Sequence, residues 1–310
     1  MNYCTYFDKN FLVQGLTCIH TLNKYNRNSF FYVLALDSET QLKLENLNLS
    51  FIKVISLNLL FQKFPILEKE KKRRNLNEFF FLLTPFLIYF LLRHQKINHI
   101  AYVDADLIFF SKITKIKRLF KKNDILASYH DYNQNKVTTG KYNVGFLVFK
   151  NNKRVLSQLR VWVKQCMIST TVDGSYSNII CGDQKYLENW EKNKKIKFSG
   201  IKVRNFNIGA WNITEKKFSK KNGMLMCDNS KLYCIHANFI KFNLKNGFFI
   251  SSKSNNSSRK IYNYEIKRIF TEVCKVYKIK FLNDYKKFFK INYIIQRFIF
   301  KNLFDINKRY

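Results

Sequence analysis

Residues 98–112, NHIAYVDADLIFFSK, decide how the chain is read. An apolar run from Ile100 to Val103 delivers two aspartates two positions apart, Asp104 and Asp106, and a second run from Leu107 to Phe110 carries the chain away. Extended backbone alternates its side chains, so both carboxylates are expected on one side with Ala105 on the other. Two like charges at the end of a buried strand are costly unless a cation or solvent balances them. The pair is therefore a candidate cation claw. The competing reading is a solvated turn whose aspartates cap a following helix, and Asp-x-Asp alone does not separate the two.

Upstream, residues 3–7 read as a strand, 10–25 as a helix with Leu12, Leu16, Ile19 and Leu22 near helical spacing, and 30–36 as a β-rich run ending in Asp37. Residues 38–44 carry helix formers and 51–57 form a third strand. The order β-α-β-α-β implies parallel crossovers and an open sheet, with ligands beyond the carboxyl ends of the strands, where Thr5, Tyr6 and Asp37 would lie. Neither GxGxxG nor GxxxxGK[ST] occurs, so any phosphate is held by something other than a glycine cradle. Residues 58–75 read as a connection whose charge run EKEKKRR (68–74) is a solvated helix face.

The apolar segment FFFLLTPFLIYFLL (79–92) suggests Thr84 as N-cap and Pro85 as the first residue of a buried helix. It is shorter than the roughly 17 to 25 residues that cross a bilayer, so no transmembrane span is expected. Downstream follow a helix at 113–121, a strand at 125–129, a polar loop at 130–141 and a strand at 144–149 introduced by Tyr142 and Asn143. A helix at 154–169, the loop CGDQKYLENW (181–190) and strands at 201–206 and 232–235 come next, the last running into His236. A lone histidine there ordinarily makes a local hydrogen bond.

Length and composition suit one large α/β domain or two modest ones, with 46% hydrophobic residues to fill a core. Seven cysteines without Cys-x-x-Cys or zinc spacing argue against a disulfide framework and a structural zinc, and favour reduced thiols and a cytoplasmic protein. The N-terminus MNYCTYFDKN lacks the pattern of a secretion signal. A net charge of +34 attracts polyanions, nucleic acid or anionic membrane. Abundant Lys, Asn, Ile, Phe and Tyr with scarce Gly and Pro are also what A/T-rich codons produce, and both explanations stay open.

Five landmarks occur in one order: CTYFDKNFLVQGL, YVDADLIFF, KYNVGFLVF, GDQKYL and IHANFIKF. Together they resemble the nucleotide-diphospho-sugar transferases of GT-A fold, and in particular the family of glycogenin and the lipopolysaccharide galactosyltransferases, over about residues 1–245. The resemblance implies a Rossmann-like α/β fold with a mostly parallel sheet flanked by helices, and a hexosyltransferase-type enzyme. It places a metal on Asp104, Asp106 and His236. Two hard oxygens and one imidazole suit Mn²⁺ and tolerate Mg²⁺ less well. It puts Thr5 and Tyr6 at the base of a nucleotide-sugar donor, a UDP-sugar, with Asp104 also meeting the ribose and Lys241 the diphosphate. Asn143, Asp183 and Gln184 fall around the transferred sugar and the acceptor, a glycan or lipid-linked glycan, with retention of configuration by analogy. From the residues alone, Asn143 pins a turn and Asp183 caps a helix beginning at Gln184. The sequence departs from the family at Phe239, which stands where a glycine is frequent.

This divides the chain into a transferase domain, 1–247, and a basic, aromatic-rich helical extension, 248–310. Within 285–304, Lys286, Lys290, Arg297 and Lys301 share a helical face while Phe288, Ile291, Ile295, Phe298 and Ile299 gather on others. Such a helix either lies on an anionic membrane as a peripheral anchor at its inner face or packs on the domain. Two further readings are a basic nucleic-acid-binding α/β protein and a degenerate transferase kept for binding. The first lacks a recognised motif and a clustered basic patch, and nucleic acid is not the expected partner.

Overall fold

The computed structural model describes residues 1–130, 140–171, 182–243, 247–250 and 258–279. Its first third winds β1 (Asn2–Phe7), α1 (Leu12–Tyr25), β2 (Phe30–Ala35), α2 (Ser38–Asn46) and β3 (Ile52–Ser56), with the three strands parallel. Caps written in the sequence start the helices. Asp8 accepts from the backbone N–H of Asn10 and Phe11 ahead of α1, and Asp37 from that of Thr40 in α2. Helices α3 (Leu57–Lys63), α4 (Ile66–Arg73) and α5 (Leu76–Arg93) lead to β4 (His99–Val103), which returns to the sheet parallel to β1.

A short β5 (Leu107–Phe109), α6 (Thr114–Lys122), β6 (Ile125–Tyr129), β7 (Tyr142–Lys150), α7 (Lys153–Ile168) and β8 (Phe198–Ile201) follow. The central sheet has the order β3-β2-β1-β4-β7-β6-β8, and only β7 runs antiparallel to its neighbours. The expected α/β architecture with a mostly parallel sheet flanked by helices is present. Beyond it lie a small antiparallel sheet of β9 (Phe218–Lys221), β10 (Met224–Cys227) and β11 (Ser230–Lys231), and β12 (Cys234–His236), which pairs with β5. The hairpin of β13 (Ile240–Asn243) and β14 (Gly247–Ile250) and the helix α8 (Arg259–Val276) complete the described chain.

Strand alternation sorts the core into two halves. Phe31 and Val33, Ala101 and Val103, and Phe146 and Val148 join a cluster with α1 and α8. Leu34, Ile100 and Tyr102, and Leu147 and Phe149 join the opposite cluster with α5 and α7. Both faces of the sheet are covered, which is why its strands read as near-continuous apolar runs.

Four expectations are corrected. Helix α5 starts at Leu76, where Asn75 caps the N–H of Glu78, so Thr84 is no N-cap and Pro85 lies inside the helix. An interior proline costs about 3 kcal/mol. Eleven residues of α5 are buried, and that packing outweighs the local signal. The same helix, at 18 residues, is long and apolar enough to cross a membrane, and here it is packed inside the fold. The connection at 58–75 is helical, and its charge run is not merely solvated: Glu70 is buried against Arg73 and Arg74, and Arg74 donates to Thr170 Oγ1 (2.7 Å) and the Met167 carbonyl (2.6 Å). The strand expected at 201–206 lies at Phe198–Ile201, because the chain then turns through Asn205 and Asn207, both at positive φ. Finally, Asp104 and Asp106 do not sit on one extended strand.

Candidate active site

Val103 ends β4, and a turn closed by the Leu107 N–H on the Asp104 carbonyl (3.2 Å) brings the chain round to β5. Alternation does hold one step earlier: Tyr102 and Asp104 share a face, and the Tyr102 hydroxyl donates to Asp104 Oδ1 (2.7 Å). Asp106 is swung to the same place by the turn. His236 arrives by long-range pairing, since β12 aligns it with Leu107, and the next residue, Ala237, donates its N–H to the Asp106 carbonyl (2.8 Å). Its Nε2 lies 3.0 Å from Asp106 Oδ1 and 3.5 Å from Asp104 Oδ2. One ligand atom from each of the three falls within 4.8 Å of the others.

The electrostatics suit a cation. Burial pushes the Asp104 carboxyl up, the Asp106 charge pushes it further, and His236 and the Tyr102 hydroxyl oppose both. Burial pulls the His236 imidazole down, but Asp106 and Asp104 outweigh it and the net shift is upward. Two carboxylates and an imidazole turned on one point, with the carboxylates repelling each other, form a donor set that fits a divalent ion.

Two cavities meet at this claw. One, of about 210 Å³, is largely aromatic, lined by Tyr6, Phe7, Phe11, Phe80, Phe81 and Tyr102. The other, of about 390 Å³, is polar, with His130, Asn143, Asp183, Gln184, Trp211 and Asn238 in its wall. Tyr6, Phe81, Asp104 and His236 border both. The Tyr6 hydroxyl donates to the Phe80 carbonyl (2.7 Å), which fixes the aromatic wall to α5 beside Pro85.

A family model described as nucleotide-diphospho-sugar transferase matches residues 28–249. The chain belongs to that family. Among individual proteins, the transferase is similar to YfnD of Bacillus subtilis (strain 168), an uncharacterized protein, at 26% identity over 247 residues and 76% of each chain. Among solved structures it is similar to the galactosyltransferase LgtC in complex with donor and acceptor sugar analogs, with a TM-score of 0.52 at 13% identity, covering 89% of this chain and 96% of that one. It also matches the glycosyltransferase GlyE of Streptococcus pneumoniae TIGR4, with a TM-score of 0.41 and 18% identity, over 65% of this chain and 45% of GlyE. At 13% identity the likeness to LgtC is one of fold.

Of the residues singled out in the sequence, the transferase fold brings Tyr6, Asp104, Asp106, Asn143, Asp183, Gln184 and His236 to the two cavities. Thr5 is not among them: strand geometry turns it into the core, fully buried, with its hydroxyl unpartnered. Lys241 lies in β13 opposite Phe249. Asn143 pins no turn; it sits in β7 and is hydrogen-bonded on all sides. Asp183 caps no helix either. The 3-10 helix that follows starts at Lys185, and the Asp183 side chain is buried at the polar cavity, with Oδ2 unpaired. The polar loop at 130–141 falls largely outside the described residues, as does Cys181.

Sequence reasoning missed Tyr102, His130, Asn207 and Trp211. The Trp211 ring stands edge-on to both His130 and His236, at 5.1 and 5.2 Å between centroids. Burial drives His130 down to about 4, with the His236 charge adding to it against the Gly140 carbonyl and Glu188, so His130 is neutral at physiological pH. Only the alternation of Tyr102 with Asp104 was visible in advance.

Proposed function

We propose that this transferase is a metal-dependent glycosyltransferase that moves a sugar from a nucleotide-diphosphate donor, a UDP-sugar, to a glycan or lipid-linked glycan acceptor with retention of configuration. The observation that carries the reading is the convergence of Asp104, Asp106 and His236 where an aromatic cavity meets a polar one. Mn²⁺ is the ion that two hard oxygens and one imidazole suit best. Bound there, it would stabilise the negative charge that grows on the departing nucleoside diphosphate.

The chain's own residues then divide the work. Tyr6, Phe11 and Phe80 offer the apolar walls a nucleobase needs, and Asp104 reaches the ribose as well as the ion. Lys241, close after His236 in sequence, serves the diphosphate. Asp183 and Gln184 border the polar cavity, where sugar and acceptor hydroxyls need hydrogen-bond partners, and the bulk of Phe81 between the cavities excludes water from the bond being broken. Asp106→Asn tests the assignment, because it removes a ligand charge at a turn outside the core. Titration calorimetry is expected to show Mn²⁺-dependent UDP binding in the wild type and its loss in the variant, with UDP binding in chelator equally weak in both. An unchanged Mn²⁺-dependent affinity overturns the assignment.

A further inference from the structure

We infer that Asn143, Gly145 and Asn207 form a positioning relay that fixes the His236 ring with Nδ1 donating to Asn207 and Nε2 turned toward Asp104 and Asp106. The purpose of the relay rests on the proposed metal-dependent reading; its content rests on hydrogen-bond geometry alone. The assignment starts from a group whose role is certain. The backbone N–H of Gly145 donates to the Asn143 side chain at 2.9 Å, so the atom it meets is Oδ1 and not the amide nitrogen. The Asn207 side chain approaches that same oxygen at 2.9 Å and must do so with Nδ2. Its remaining atom, Oδ1, faces His236 Nδ1 at 3.1 Å and can only accept. Nδ1 therefore carries a proton, and Nε2, the atom nearest both carboxylates, faces them: without a metal it can donate to Asp106 at 3.0 Å, and a bound cation would take the place of that proton.

The other end of the relay agrees. His130 Nδ1 lies 2.8 Å from the Gly140 carbonyl, which only accepts, so His130 Nε2 is an acceptor and takes a hydrogen from Asn143 Nδ2 at 3.1 Å. Asn143 Nδ2 is also 3.5 Å from Gln184 Oε1. Asn207 Nδ2 reaches Ser128 Oγ and the Tyr129 carbonyl, both at 3.3 Å, while the Ser128 hydroxyl spends its own proton on the Asn143 carbonyl (2.9 Å). Turning either amide over would set N–H against N–H at Gly145 or oxygen against oxygen between the two asparagines.

Space makes the same point independently. A Cβ on Gly145 would lie 2.6 Å from Asn143 Oδ1, 2.6 Å from His236 Cε1 and 2.8 Å from His236 Nδ1, so any side chain there would evict the ring or the amide. The Gly145 carbonyl meanwhile accepts the N–H of Asp104 at 2.9 Å. One residue of β7 thus holds the backbone of one ligand and leaves room for another. Asn143, which the family resemblance places beside the transferred sugar, has its oxygen and its amide hydrogens engaged within the protein, and it is a positioning residue.

The test uses metal-free protein labelled with ¹⁵N in histidine. Long-range proton–nitrogen spectra recorded at rising pH are expected to show His236 Nδ1 protonated throughout, with any proton lost coming from Nε2. Asn207→Gly, which accepts the positive φ at 207, is expected to yield a mixture of tautomers and to weaken Mn²⁺ binding, read by the resonance of free Mn²⁺, by about 10- to 100-fold. A wild-type ring that loses its proton from Nδ1 and keeps it on Nε2 overturns the relay, and this spectrum decides even if the variants do not fold. So does a folded Asn207→Gly protein with tautomer and Mn²⁺ affinity unchanged. The predicted tautomer in a protein that neither binds UDP nor cleaves any nucleotide sugar supports the relay and sinks the proposed function.

Discussion

Asp183 is a carboxyl group with few means of carrying its charge. Burial pushes it from 3.8 to about 8, the charge of Asp104 adds to the shift, and the Thr84 hydroxyl opposes it only in part. Between those two values the folded protein holds a proton that the unfolded chain has released, so folding stability falls as pH rises through the window, by at most about 1.4 kcal/mol per pH unit. Asparagine cannot ionise and nearly matches the shape. Asp183→Asn is therefore expected to flatten the decline, making metal-free protein more stable than the wild type above pH 8 and leaving it close to the wild type near pH 4; urea midpoints across that range measure it. A variant whose pH profile parallels the wild type would show that the Asp183 proton does not govern the slope. The contrast with its neighbours explains what the sequence could say at this scale. The meeting of Asp104, Asp106 and His236 was expected from the family resemblance, since the residues alone left the two acids open to a solvated turn and the histidine to a local hydrogen bond. Asn207 and His130 were not. Their roles arise from contacts with Asn143, 64 and 13 positions away, and one asparagine in an asparagine-rich chain carries no local mark of them.

Elements were readable wherever a cap or a period reported on the core. The 3.6-residue spacing in α1 marks its helix in the sequence as in the fold, and Asp37 and Asn152 cap α2 and α7 in the structure. The failures share one cause, tertiary packing overriding a local signal: Pro85 is carried inside α5, the charged α4 is pinned by buried Glu70, and the turn at Asp104–Leu107 replaces the straight strand that alternation suggested. Helix α8 lies in the stretch assigned to a helical extension beyond residue 247, and its Tyr262, Ile266, Phe270 and Val273 are buried in the cluster built around α1. Glu272 ties it to Lys24 at 3.0 Å, and Lys220 and Arg268 engage Glu265. Ile266 is fully buried, so Ile266→Ala is expected to cost about 2–5 kcal/mol in chemical denaturation. A loss within about 0.5 kcal/mol, the range of a surface substitution, would mean that α8 does not dock in solution as described.

For the whole molecule, the question is where a charge of +34 is used. At the end of α1 and the start of α6, Lys24, Arg27, Lys112 and Lys117 line a cavity of about 410 Å³. Helix α8 ends beside it, with Glu272 on Lys24 and the Tyr277 hydroxyl 3.5 Å from His20 Nδ1, so the described chain stops, at Ile279, next to this basic surface. That stretch, which includes the amphipathic pattern at 285–304 and lies outside the described residues, holds eight basic against two acidic side chains with many aromatic and β-branched ones. Each Lys or Arg near an anionic bilayer contributes about 1 kcal/mol, and an apolar face adds burial at the lipid boundary. A lipid-linked acceptor would make such attachment useful to the proposed transferase. Cutting the chain at 247 would strip α8 from the core and confuse unfolding with loss of binding, so the informative cut is after Ile279, which leaves α8 and the basic cavity in place. The full chain is expected to co-sediment with vesicles containing anionic lipid. A chain ending at Ile279 is expected to keep its thermal midpoint and UDP affinity and to bind the vesicles at least about tenfold more weakly, since losing even two such charges is worth that much. Equal binding by both chains would remove the segment from the membrane, and binding of the full chain that persists in neutral vesicles or at high salt would remove the electrostatic cause, because charges beyond the Debye length are screened there.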